Sequence, residues 1–142
     1  KYHNDDPAAK FPSICIIDGD SAQAISEVDS VYRLPGGMPE EAVFEEVLAA
    51  WEAWGGKLSV ALLREYEKSA DVLKICQTVK MQNIDMHLIF IQIGEKLGLV
   101  PEATVAAAFC TVWAQAYPDK ADAVLTSLTA ATESRTALIA AK

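Results

Sequence analysis

The sequence is poor in the residues that most often announce a function. Its three cysteines, Cys15, Cys76 and Cys110, are far apart, odd in number and each set in an apolar run. They form neither a disulfide framework nor a pair with metal-ligand spacing, and they read as small buried hydrophobes in a reducing compartment. Neither they nor the two histidines, His3 and His87, are placed to make a zinc site. Positive charge is also scarce. Twelve Lys and Arg face twenty Asp and Glu, a net charge of −8, with a pI of about 4.7. Neutralising phosphates needs clustered cations, so a broad nucleic-acid surface on this chain is excluded, while a metal site meeting one phosphate is not. There is no Gly-x-x-x-x-Gly-Lys loop to cradle ATP. No apolar run approaches the roughly 20 residues of a membrane span, and the opening Lys1-Tyr2-His3-Asn4-Asp5-Asp6 has no apolar signal core. The expectation is a cytoplasmic protein with no membrane partner.

What is present is enough apolar residue for a packed core: 142 residues, 51% hydrophobic and 23% charged. Residue 1 is not Met, and a polar loop over 1–12, with Pro7 and Pro12, runs directly into a strand. The chain therefore reads as a piece of a longer one. Ile14-Cys15-Ile16-Ile17 is an unbroken apolar run, the mark of a strand buried on both faces of a parallel sheet. It stops in Asp18-Gly19-Asp20. After a polar connection over 21–29, with room for one helical turn, Val31 to Leu34 reads as a second strand. Pro35-Gly36-Gly37 ends it. Two short strands do not make a stable sheet, so further strands are expected from upstream residues or another chain.

Everything beyond reads helical. One helix is expected from Pro39 to Trp54, with proline and Glu40 and Glu41 in its first turn and an apolar face of Ala42, Val43, Val47, Leu48, Trp51 and Trp54. Gly55-Gly56 is read as its stop. Further helices are expected over Ser59 to Cys76, with a break near Ser69, over Ile84 to Leu97 with Gly98 as the stop, and over Pro101 to Tyr117 with Pro118 as the stop. A last one is capped by Asp119 and reaches Thr129, with an alanine-rich tail after it. The fold class is thus α/β followed by all-helical: residues 1–57 as a partial α/β unit and 58–142 as a helical extension.

The chemistry is concentrated at the strand ends. Asp18 and Asp20 are two apart, so in an extended chain both carboxylates point to one side, and Gly19 lets the backbone bend between them. Carboxylates held close repel unless a cation or proton intervenes. Hard oxygen ligands suit Mg²⁺ or Mn²⁺, which keep several waters. The plain alternative is a strand-end turn, for which Asp-Gly is a common sequence. If the two strands are neighbours, Glu40 or Glu41 reaches the same sheet edge, giving three or four carboxylates around one position; the plain alternative is first-turn helix acids.

Ile14-Cys15-Ile16-Ile17-Asp18-Gly19-Asp20, followed by Arg33-Leu34-Pro35-Gly36-Gly37-Met38-Pro39-Glu40-Glu41, resembles the back half of the TOPRIM domain of OLD-family (overcoming lysogenization defect) proteins. Asp85-Met86-His87, Gly98-Leu99 and Trp113 are similar to the helical tail of such proteins. These are ABC-type ATPases with a C-terminal TOPRIM nuclease, many of them in bacterial antiphage systems, including retron-associated ones. The resemblance implies a partial TOPRIM-like sheet with a helical extension, Mg²⁺ or Mn²⁺ on Asp18 and Asp20, and Glu41 or Glu40 as the following acid. It implies a catalytic lysine at Lys80 or Lys74. It further implies ATP bound only elsewhere in the parent protein, and nucleic acid engaged through the assembled protein. The expected partners are an upstream ATPase and TOPRIM half, or a second copy. The family's earlier glutamate falls before residue 1, so metal-dependent endonuclease activity is expected only together with upstream residues.

A second reading is an interaction module whose TOPRIM remnant no longer cuts and whose helices dock a partner protein or separate nuclease. A third, a phosphatase-like or receiver-like domain with Asp18 as phosphoacceptor, needs more strands after the aspartates than this chain supplies. His87 reads as an interface histidine beside a packed side of Ile84, Leu88, Ile91 and Leu97. Trp51, Trp54 and Trp113 read as core or interface anchors. Lys57, Arg64, Lys68, Lys74 and Lys80 read as a solvated face. Ser21 reads as a local hydroxyl cap.

Overall fold

A computed structural model describes residues 13–26 and 30–140; the loop expected over 1–12, with His3, lies outside them. The chain divides into two compact units. One, residues 1–39 with 119–142, carries the strands and the last helix. The other, residues 40–118, is helical.

In the first unit, β1 (Cys15–Ile17) and β2 (Val31–Arg33) pair in parallel, with Cys15 opposite Val31, Ile16 opposite Tyr32 and Ile17 opposite Arg33. A parallel pair needs a long crossover. Here the described part of that crossover returns along β2, with reciprocal hydrogen bonds between Ser26 and Val31. Both strands lie where the apolar runs place them. The expected burial of β1 on both faces is not met among the described residues: Cys15 is exposed, Ile16 is 39% exposed and Ile17 half-buried. The reason is that β2 is the only strand beside it there.

Among the described residues there are six α-helices: α1 (Pro39–Ala49), α2 (Trp51–Ala61), α3 (Ser69–Gln82), α4 (Ile89–Lys96), α5 (Glu102–Ala116) and α6 (Pro118–Ala140). None is long and apolar enough to cross a membrane. Those of the helical unit each contribute a face of helical period to one core: Val43, Phe44 and Val47 from α1, Val72, Cys76 and Val79 from α3, and Val105, Ala108, Phe109 and Val112 from α5. Phe109 is fully buried, 5.8 Å from the Phe44 ring and 5.2 Å from Phe90. Helix α5 packs on α2 and α4, and α3 packs on the same two.

Several helix boundaries depart from expectation for identifiable reasons. The helix begun at Pro39 bends at Ala50 (φ −92°, ψ 14°) and continues through Gly55-Gly56, which lie buried inside α2. A Cβ on Gly55 would meet the Trp51 ring at 2.5 Å, and one on Gly56 the Tyr66 ring at 2.3 Å. These glycines serve close approach, not termination. Helix α2 ends instead at Ala61, capped by Leu62, with Leu63 beyond the cap at a φ of 61°. Arg64 N–H donates to the Ser59 carbonyl at 2.8 Å and Leu63 N–H to that of Val60 at 3.0 Å. This is the Schellman pair, with leucine where glycine is usual. The expected helix from Ser59 to Cys76 is therefore divided.

Residues 83–88 are not α-helical either: Asn83 is extended and Met86–Leu88 forms a 3₁₀ turn. That shifts the helical phase. Ile84 is 98% exposed and Leu88 and Ile91 are also exposed, while Ile89, Phe90, Ile93 and Leu97 are buried. Gly98, at φ 90°, stops the chain after α4 as expected. Pro118 opens α6 rather than only closing α5, and α6 runs on to Ala140 without a stop at Thr129.

Candidate functional site

In a parallel pair both strands end on the same edge, so the loops after β1 and β2 leave together. The loop after β1 closes at once: Ser21 N–H donates to the Asp18 carbonyl at 3.1 Å, making Asp18-Gly19-Asp20-Ser21 a tight turn. The extended geometry that would align the two carboxylates by alternation stops at Ile17. Asp18 is half-buried and Asp20 exposed. Ser21 Oγ accepts the Gln23 N–H at 3.3 Å, the local capping role read from sequence.

Two contacts fix this turn against the end of β2. A Cβ on Gly19 would fall 1.8 Å from the Gly36 carbonyl oxygen and 2.8 Å from that of Gly37, so the two glycine loops meet backbone to backbone. The guanidinium of Arg33, the last residue of β2, donates from Nη1 to the carbonyls of Gly19 at 3.1 Å and of Ser21, and from Nη2 to that of Gln23 at 2.6 Å. Leu34 N–H donates to the Ile17 carbonyl at 2.9 Å. Arg33 was part of the sequence motif but carried no assigned role. The signal available was its place at a strand end, level with Ile17. Its donors go to these carbonyl oxygens rather than to the Asp18 or Asp20 carboxylates.

The remaining sequence-predicted residues lie in the helical unit. Glu40 is half-buried, and its Oε2 stands 3.8 Å from His87 Nδ1 without a hydrogen bond of its own. The same carboxylate lies close enough to Cys110 to push that thiol's pKa up, as a second cause after burial. Glu41 is exposed. Lys80 Nζ pairs with Glu45 Oε2 at 2.5 Å, and Lys74 is exposed. His87, half exposed in the 3₁₀ turn, thus faces one acid, and the packed side expected beside it is not formed by Ile84, Leu88 and Ile91. Its neighbour Asp85 caps the 3₁₀ turn by accepting the His87 N–H at 3.0 Å. The tryptophans are anchors: Trp113 Nε1 donates to Glu46 Oε2 at 2.8 Å, and Lys57 stands 3.9 Å over the Trp54 ring.

Among the described residues no group of three His, Cys, Asp or Glu side chains is placed to hold a metal ion. The turn after β1 carries two acids two residues apart, Asp18 half-buried and Asp20 exposed. Two carboxylates fit one Mg²⁺ or Mn²⁺ that retains most of its water, because such ions need only one or two protein carboxylates. They fall short of the ligands required by two ions roughly 4 Å apart. Compared with known proteins, the chain matches no family model, no curated protein and no solved structure.

Proposed function

We propose that the turn after β1 is a divalent-cation site serving phosphodiester hydrolysis, within a TOPRIM-type nuclease module of an OLD-like ATPase acting on DNA or RNA in the cytoplasm, in antiphage defence. One observation carries the reading. Asp18 and Asp20 stand at the carboxyl end of a strand, on a turn pinned by Gly19 against Gly36 and by Arg33, with no part of that pinning using their oxygens. Functional groups of parallel sheets gather at this edge.

Asp18 and Asp20 would hold the cation, which when bound supplies charge to polarise a phosphoryl oxygen. Gly19 lets the turn approach the Gly36 loop, and Arg33 fixes the turn's carbonyls so that the carboxylates are presented from a preorganised backbone. With ligands for one ion, the chain by itself binds metal and does not cleave. Calorimetric titration with Mn²⁺ tests the site: one ion per chain is expected, with affinity reduced at least about tenfold, or about 1.4 kcal/mol, in Asp18→Asn. Unchanged binding in that variant refutes the site. Strong Mn²⁺-dependent nicking by the isolated chain, abolished in Asp18→Ala, refutes the half-site.

One observation favours a second reading, an interaction module docking a partner protein. Met81, Ile84, Leu88 and Ile91 are exposed to 80%, 98%, 44% and 39% around the α3–α4 connection, more apolar surface than a solitary helical unit needs to show. Metal binding lost on Asp18→Asn with no consequence for the parent protein's nuclease activity would select it.

A further inference from the structure

The cations of the helical unit are not evenly spread. Three of the chain's twelve, Arg64, Lys68 and Lys96, line one cavity of about 460 Å³, and a single acid, Asp71, lines it with them. The lining therefore carries a local excess of two positive charges in a chain whose net charge is −8. Its wall is apolar: Val72 and Leu97 are 2% and 4% exposed, and Ile75 is half-buried.

Internal partners account for only part of this charge. Arg64 Nη2 donates to the Leu97 carbonyl, tying the turn after α2 to the end of α4. Lys68 Nζ is 3.9 Å from Asp71 Oδ2, with both side chains largely exposed, a pair worth little. Lys96 stands in the last turn of α4, where a cation meets the negative helix end. A volume of this size lies within the roughly 300–1,000 Å³ of small-molecule sites, which combine an apolar wall with a few polar groups.

We propose that this cavity binds a small amphipathic anion, with its acidic head between Lys68, Lys96 and Arg64 and its apolar body against Val72, Ile75 and Leu97. The charges hold the head, and the wall selects against a bare inorganic anion. The site is independent of Asp18 and Asp20.

The test is chemical-shift mapping on the full ¹⁵N-labelled chain with three probes: octanoate, octyltrimethylammonium and inorganic phosphate. Octanoate is expected to move the amides of Val72, Leu97 and Gly98, and to do so at least about tenfold more weakly in the Lys68→Glu/Lys96→Glu variant. Both lysines are exposed, so the core is untouched, and the milder Lys68→Gln/Lys96→Gln variant should give an intermediate loss. Arg64 is left alone because it holds the two turns together. The cationic probe is expected to move the same amides only in the charge-reversed variant. Silence of these amides toward octanoate, equal response to the cationic probe, or unchanged octanoate binding in both variants overturns the proposal. Phosphate binding as tight as octanoate overturns the amphipathic class.

Discussion

Gly19 lies against Gly36 so closely that a Cβ on Gly19 would fall 1.8 Å from the Gly36 carbonyl oxygen. The obstacle is backbone, not a side chain that can swing aside. The contact joins the turn bearing Asp18 and Asp20 to the loop that follows the neighbouring strand, and so sets where the two acids stand.

Gly19→Ala should therefore separate the two loops. We expect a loss of about 1–3 kcal/mol, the usual range for a disruptive substitution, confined to the strand unit. Hydrogen exchange at Leu34 N–H, which donates to Ile17, should accelerate while exchange in α5 is unchanged. Full protection of Leu34 in the variant would show that the loops can part without consequence.

Arg33 reaches three carbonyls through a planar fork of donors. A lysine carries the same charge as a point and cannot span them. Arg33→Lys should thus resemble Arg33→Ala in thermal unfolding and in the exchange of turn amides, and both should weaken Mn²⁺ binding while leaving the carboxylates in place. Rescue by lysine would mean that charge alone is at work.

Phe109 touches Phe44 and Phe90 at the centre of the helical unit. Removing a buried phenylalanine costs about 3–5 kcal/mol. Denaturant unfolding of Phe109→Ala should show a loss in this range, with near-neutral effects for truncation of exposed Ile84. A smaller loss at Phe109 than at Ile84 would contradict the assigned core.

Burial pushes the Cys76 thiol up to about 12 from its ordinary value of 9.0. Below pH 9 the thiol is protonated whether the chain is folded or not, and its contribution is complete. Between pH 9 and 12 the unfolded chain releases the proton and the folded chain keeps it, so stability falls by about 1.4 kcal/mol per pH unit from this group. Cys76→Ala lacks that slope. The stability difference between wild type and variant should be flat below pH 9 and shrink above it; a constant difference to pH 11 would show that the thiol ionises freely.

The sequence made the strands, their parallel sense and the glycine loops legible, because an unbroken apolar run and a Pro-Gly-Gly stop are local signals. Other features depend on partners distant in sequence. Gly55-Gly56 looks like a helix stop until the rings of Trp51 and Tyr66 are seen to occupy the space of the missing side chains. The stop at Leu63 has no glycine to mark it. Ile84, Leu88 and Ile91 match a helical face only if residues 83–88 are helix, and a 3₁₀ turn there rotates them outward. At the candidate site, the acids were visible and the grip of Arg33 on carbonyls 10–14 residues earlier was not. The turn at Asp18 also replaces the alternation expected of an extended chain.

The most direct measurement is paramagnetic mapping with Mn²⁺ on the ¹⁵N-labelled chain. Substoichiometric Mn²⁺ should broaden the amides of Gly19, Asp20 and Ser21 first, and Asp18→Asn/Asp20→Asn should remove that preference. Broadening centred on the acids of the helical unit, or identical in the double variant, would contradict a metal site at the end of β1.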